Sequence, residues 1–189
     1  MEPHSKHGRA KRWLGWLAGI AVVTAPSGAF GLATSEYALK AVFLFNFAQF
    51  VEWPDGAFES AESPINVCVL GNDPFGAQLD EVMEGERING RSIIVQRPVG
   101  VEDATDCHVL FVSAASKDTQ RAVLERLKGE PILTVGESLD FTSAGGMIRF
   151  FMEDNRVRIE INPDAAEDAH LRLSSKLLRS SQILAKRGQ

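Results

Sequence analysis

The sequence predicts an α/β fold: a single compact domain with a mixed, mostly parallel β-sheet flanked by helices on both faces, then a C-terminal β-hairpin and a helix. Three observations predict it. INVCVLG (Ile65 to Gly71) and CHVLFVS (Cys107 to Ser113) are apolar on both faces, as strands inside a covered parallel sheet must be. Strand-like runs alternate with helical ones through the middle of the chain. Near the end, MIRFFMEDNRVRIEIN sets Val157, Ile159 and Ile161 against Arg158 and Glu160, the period-two pattern of a hairpin with EDN in its turn.

The elements follow in order. An opening helix is predicted from about Thr34 to Trp53, stopped by Pro54. Its polar residues, Lys40, Asn46, Gln49 and Glu52, share no face, so it must be covered on more than one side. After the INVCVLG strand, GNDPFG leads into a helix with Asp73 as cap and Pro74 in the first turn, running to about Glu84. GERINGR turns the chain into a short strand, SIIVQRP. CHVLFVS follows, then a helix, DTQRAVLERLKG, ending at Gly129, and a fourth strand, PILTVG. After the hairpin, Asn162 caps a last helix that carries Pro163 at its first position and is predicted to continue to about Ala185.

The N-terminal segment has a different character. Lys6, Arg9, Lys11 and Arg12 form a basic stretch, WLGWLAGIAVV (Trp13 to Val23) is an apolar run, and small residues follow in TAPSGAFGLA. This is the layout of a secretory signal over residues 1–33, with cleavage after Ala29 or Ala33; an uncleaved amphipathic anchor is the alternative. The run is short of the roughly 20 residues that span a bilayer, and nothing later is apolar enough, so no membrane insertion of the mature chain is expected. From residue 34 onward the basic count falls from 20 to 16 and the acidic count from 25 to 24, a net charge of −8. An exported acidic domain is a poor nucleic-acid binder.

Export places Cys68 and Cys107 in an oxidising compartment, which favours a disulfide; two buried thiols in neighbouring strands are the alternative. Closing that loop is worth about 4 kcal/mol in chain entropy, less any strain. A metal site is not expected, because His108 and His170 have no ligand-like spacing to either cysteine. Enzymatic signatures are not found: no G-x-G-x-x-G opens a helix, and GESLD (Gly136 to Asp140) fails as a nucleophile elbow at its last position. His108 lies in an apolar strand and reads as a core histidine rather than a base. His170 beside Asp168 and Glu167, and the serines and lysine of SSK (Ser174 to Lys176), fail as catalytic groupings because near neighbours on a helix point apart. The sequence therefore asks for no catalytic residues and no cofactor.

Two features could bind something. YALKAVFLFNFAQFVEW (Tyr37 to Trp53) holds six of the chain's fifteen aromatic residues, with Phe43, Phe47, Phe50 and Trp53 as candidate partner or dimer contacts. On the predicted last helix, Arg172, Ser175, Lys176 and Arg179 follow helical spacing and share one face. That stripe is either a solvated face or an anion contact, Arg being suited to grip carboxylate or phosphate.

These residues carry a resemblance. YALKAVFLFNFAQFVEWP, INVCVLGNDPFG, RINGRSIIV, DCHVLFVS, ILTVGES, GGMIRFFMEDNRVRIEIN and LRLSSKLLR, in this order and spacing, make the chain resemble the YfiR family of small periplasmic bacterial proteins over nearly all of residues 34–189. The resemblance implies a periplasmic α/β protein, typically dimeric, with a disulfide at Cys68 and Cys107. It implies a repressor that engages the periplasmic sensor part of an inner-membrane diguanylate cyclase, lowering cyclic di-GMP and biofilm formation. The family's LRLSSKLL motif falls on Leu171 to Leu178, which adds weight to Arg172, Ser174, Ser175 and Lys176 as ligand or anion contacts. The alternative is a periplasmic module sensing a small anion or nucleotide for a different membrane partner, with an uncharacterised hydrolase a distant third.

Overall fold

In the computed structural model, which describes residues 28–179 and 181–183, the chain opens with helix α1 (Gly28–Phe50). The basic stretch and apolar run of the expected export signal lie outside the described residues; Ala29 and Ala33 fall in the first turns of α1. The helix begins earlier than predicted and also ends earlier, because Val51–Glu52 leaves it as a short strand, β1. Then come β2 (Ile65–Gly71), α2 (Ala77–Met83), β3 (Arg87–Ile88), β4 (Arg91–Gln96), a 3-10 turn (Val101–Ala104) and β5 (Val109–Ser113). They are followed by α3 (Lys117–Arg126), β6 (Leu133–Gly136), β7 (Ile148–Glu153) and β8 (Arg156–Ile161). The C-terminal part is α4 (Pro163–Asp168), β9 (Arg172–Leu173), α5 (Ser175–Arg179) and β10 (Gln182–Ile183).

Among the described residues, eight strands form one sheet in the order β10-β8-β7-β6-β5-β2-β4-β3. The pairs from β7 through β6, β5 and β2 to β4 are all parallel, as is β10 on β8; β7–β8 and β3–β4 are antiparallel. The predicted mixed, mostly parallel sheet is therefore present. Asp154 and Asn155 sit at positive φ between Glu153 and Arg156, which face each other in register. Two left-handed residues give the tight hairpin turn whose twist matches the strands.

Each face of the sheet has its own core. Ala41, Leu44, Phe47 and Ala48 of α1 recur at helical spacing and pack over Val67, Val69, Val109, Phe111 and Phe150. Leu79 and Met83 of α2 join that cluster, as do Ala166 of α4 and Leu177 of α5. On the opposite face Leu70, Leu110 and Val112 meet Val123, Leu124 and Leu127 at α3 together with Phe141. Cys68 of β2 is bridged to Cys107, just ahead of β5, with Cα atoms 6.0 Å apart. The bridge joins neighbouring strands and staples the smaller core to the sheet.

Two helix predictions are corrected. Asp73 does not cap α2: its carboxylate accepts the N–H groups of Phe75 at 2.8 Å and Gly76 at 3.3 Å, a local turn that delays the helix to Ala77. Arg97, just past β4, bonds the other Asp73 oxygen at 2.7 Å and reaches Asp80 at 2.6 Å. The pair holds the Asp80 carboxyl below its ordinary range, through the hydrogen bond from Arg97.

The predicted last helix is broken. Asn162 caps its start as expected, accepting the Ala165 N–H at 3.2 Å, with Pro163 in the first turn. The helix stops at Asp168. His170 takes a left-handed φ of 58°, its N–H reaches the Glu167 carbonyl, and the Leu171 N–H reaches the Ala166 carbonyl, each at 2.9 Å. That pair of bonds is a Schellman stop, with histidine at the position glycine normally fills. Burial of Leu171, 3% exposed, holds the turn against the core.

Candidate functional site

Breaking the last helix brings the two candidate surfaces together. β1 pairs antiparallel with β9, setting Val51 opposite Leu173 and Glu52 opposite Arg172. The Ser174 N–H extends the ribbon, donating to the Phe50 carbonyl at 2.9 Å. Lys176 then lies over the Phe50 ring, its Nζ 4.6 Å from the centroid. The aromatic end of α1 and the LRLSSKLL segment, some 120 residues apart in sequence, thus form one surface.

The individual residues divide. Phe47 has no exposed surface and stacks on Phe150 with centroids 5.6 Å apart, so it is core. Phe43 and Phe50 are half-buried and edge a groove of about 340 Å³ that Asn46, Gln49 and Lys176 also line. Trp53 is half-buried with its ring edge against Phe58 and His108, at centroid distances of 6.1 and 5.9 Å. Its indole Nε1 is buried with no hydrogen-bond partner among the described residues. The outward side of α1 carries Leu39 and Val42, 45% and 42% exposed, together with Gln49.

The basic stripe does not exist as one helix face, because Arg172 is in β9 while Ser175, Lys176 and Arg179 are in α5. Ser174 is used structurally: its hydroxyl accepts the Leu177 N–H at 3.3 Å and opens α5. Ser175 accepts from Arg179 at 3.2 Å. Arg172 is exposed and lines a groove of about 680 Å³ with Glu52, Trp53, Asp55, Glu167 and His170. That groove carries more carboxylates than cations, which suits a mixed polar contact better than a lone anion.

His108 is a satisfied core residue. Its Nδ1 accepts the Asn66 N–H and its Nε2 faces the Ala57 carbonyl, both at 3.1 Å, while the ring stacks on Phe58 at 4.3 Å. Both nitrogens are thereby occupied by the neutral ring, and burial pushes its pKa below the usual histidine value. His170 serves the Schellman turn. Among the described residues no cluster of His, Cys, Asp and Glu could hold a metal ion, and no helix is long and apolar enough to cross a membrane.

One grouping escaped the sequence reading. Lys40, read as a polar interruption of the aromatic helix, is 3% exposed and hydrogen-bonds both Glu36 and Glu137. The Tyr37 hydroxyl donates to Glu137 at 3.2 Å, and burial, with the Glu137 charge beside it, pushes the phenol up to about 12. The cluster pins α1 to the end of β6. The i, i+4 spacing of Glu36 and Lys40 was the available signal; the third partner lies 97 residues away.

A solved structure, the ABC domain in complex with L-Trp from Streptococcus pneumonia, superimposes with a TM-score of 0.45 at 8% identity, covering 64% of this chain and 55% of that one. The family model described as YfiR/HmsC-like matches residues 37–182, from Tyr37 in α1 to β10. The chain belongs to the YfiR/HmsC-like family.

Proposed function

We propose that the protein is an exported, periplasmic regulator that binds the periplasmic sensor part of an inner-membrane diguanylate cyclase and holds it inactive, lowering cyclic di-GMP and biofilm formation. It acts by binding and not by catalysis, and it works as a homodimer. Family membership supports the regulatory class. The single observation that carries the reading is the β1–β9 ribbon, which joins the aromatic end of α1 to the LRLSSKLL segment on one accessible surface. Aromatic and arginine side chains at such a surface are the usual anchors of a protein interface. Arg172→Glu or Phe50→Ala should raise cellular cyclic di-GMP several-fold while the amount of exported protein stays the same. Unchanged cyclic di-GMP in both variants at normal protein levels would refute the reading.

A second reading is a periplasmic sensor of a small anion or nucleotide. Its support is the exposed guanidinium of Arg172, a group suited to grip carboxylate or phosphate, set against the three carboxylates that share its groove. A thermal shift with inorganic phosphate or a nucleoside monophosphate that Arg172→Ala removes is the expected result; no shift eliminates it.

A further inference from the structure

We propose that a crevice at the C-terminal ends of β2 and β5 binds a small, uncharged organic molecule with an aromatic or short aliphatic body. The argument begins with topology. From β2 the chain passes through α2 to β3 and β4 on one side; from β4 it crosses back through the 3-10 turn to β5 on the other side. It then continues outward through α3 to β6. Strand order therefore reverses between β2 and β5, and α2 and α3 lie on opposite faces. The loops leaving the two strands separate at that point, and in doubly wound sheets ligands bind in the resulting crevice.

Here the crevice has a volume of about 640 Å³, within the range of small-molecule sites. Its floor is backbone. Gly71 has a φ of 98°, and a side chain there would run into the carbonyl oxygen of Ser113, so only glycine permits the close approach of the two strand ends. Leu70, Val112 and Val123 wall it with buried apolar surface, while Ala114, Ala115 and Ala122 keep it open by being small. At the mouth Val99 is 95% exposed, apolar surface that an occupant would cover.

Charge decides the class of occupant. Among the described residues no Asp, Glu, Lys, Arg or His lines the crevice, and its polar side chains are Asn72, Ser113 and Thr119. An ion buried there would lose hydration without a counter-charge, whereas a neutral molecule keeps its apolar body against the alanines and valines and offers a hydroxyl, amide or ring N–H to the polar edge. The groove beside Arg172, of similar size but lined by carboxylates and a guanidinium, is the opposite environment. The crevice is thus separate from the ribbon surface, and its occupancy is independent of which partner that surface meets.

The test uses the whole exported chain with its disulfide intact and the neutral fluorophore N-phenyl-1-naphthylamine as probe. A saturable, single-site rise in fluorescence is expected. Ala122→Trp, an exchange at an exposed helix position that fills the crevice, should weaken binding by at least about tenfold. Val99→Ser, at the rim of the loop, should weaken it roughly threefold and serves if the tryptophan variant does not fold. Phe50→Ala should leave the affinity unchanged, and the anionic 1-anilinonaphthalene-8-sulfonate should bind at least about tenfold more weakly. Three results would overturn the proposal: no saturable binding, undiminished affinity in folded Ala122→Trp, or loss of binding in Phe50→Ala. Equal affinity for the anionic dye would overturn the assignment to neutral ligands.

Discussion

One face of the sheet is covered by α1, α2, α4 and α5, and its core runs from Ala41 to Leu177; the other is covered chiefly by α3 and the turn around Phe141. The first face is secured by interdigitated aromatic and branched side chains, with Phe43, Phe47 and Phe150 in mutual contact. The second has fewer buried residues, keeps an open crevice above Gly71, and is held by the Cys68–Cys107 bridge. The difference teaches how the fold divides its labour. The first face is held by packing, while the thinner face combines a covalent tie with a partly hollow interior.

The comparison can be broken by experiment. Phe47→Ala, which empties the centre of the packed face, should cost roughly 3–5 kcal/mol in denaturant unfolding. Removing the bridge with Cys68→Ser and Cys107→Ser should cost roughly 2–4 kcal/mol by the same measurement, and repression should weaken with stability. Because the two changes act on opposite faces, their costs should add to within about 0.5 kcal/mol. A coupling well above that would show that the faces are one core, and full stability of the serine double variant would remove the bridge from the account.

A smaller effect tests the start of β5, where the two faces meet. His108 is held neutral by burial, accepting from Asn66 and facing the Ala57 carbonyl. Since its pKa is depressed in the folded state, its contribution is complete above its unfolded value near 6.5 and is lost as pH falls below that. The protein should lose stability there with a slope of up to about 1.4 kcal/mol per pH unit, and His108→Gln should flatten that segment of the profile. An unchanged slope would mean that the ring accepts a proton freely.

The smallest effect concerns the Schellman turn. His170→Gly should leave stability unchanged or raise it by up to about 1 kcal/mol, because glycine takes the left-handed conformation without strain. His170→Val should lower it by roughly 1–2 kcal/mol. Should glycine destabilise instead, the imidazole has contacts that matter more than its backbone.

Much of this architecture was legible in the residues. Strands apolar on both faces marked β2 and β5 at the centre of a parallel sheet, and alternation with EDN marked the β7–β8 hairpin. Asn162 and Pro163 located the start of α4. The stop at His170 was not legible, because AHLRLSSK contains no glycine or proline and its spacing of apolar and basic residues fits a continuing helix. That error created the single-face basic stripe and concealed the ribbon, since nothing local tells Glu52 to face Arg172. The crevice was hidden for a related reason: it comes from the direction in which the chain crosses between β4 and β5, not from any motif.

The central claim is that the ribbon surface, with the flank of α1 beside it, meets a membrane-bound cyclase. A photo-reactive amino acid placed at the exposed Gln49 in intact cells tests it most directly, with the same probe at Ala122 on the other face as reference. The account predicts a covalent adduct from position 49 that contains a diguanylate cyclase cross-linked through its periplasmic part, and none from position 122. Adducts to the cyclase from position 122 alone, or none from either position in cells whose cyclase is demonstrably repressed, would contradict it.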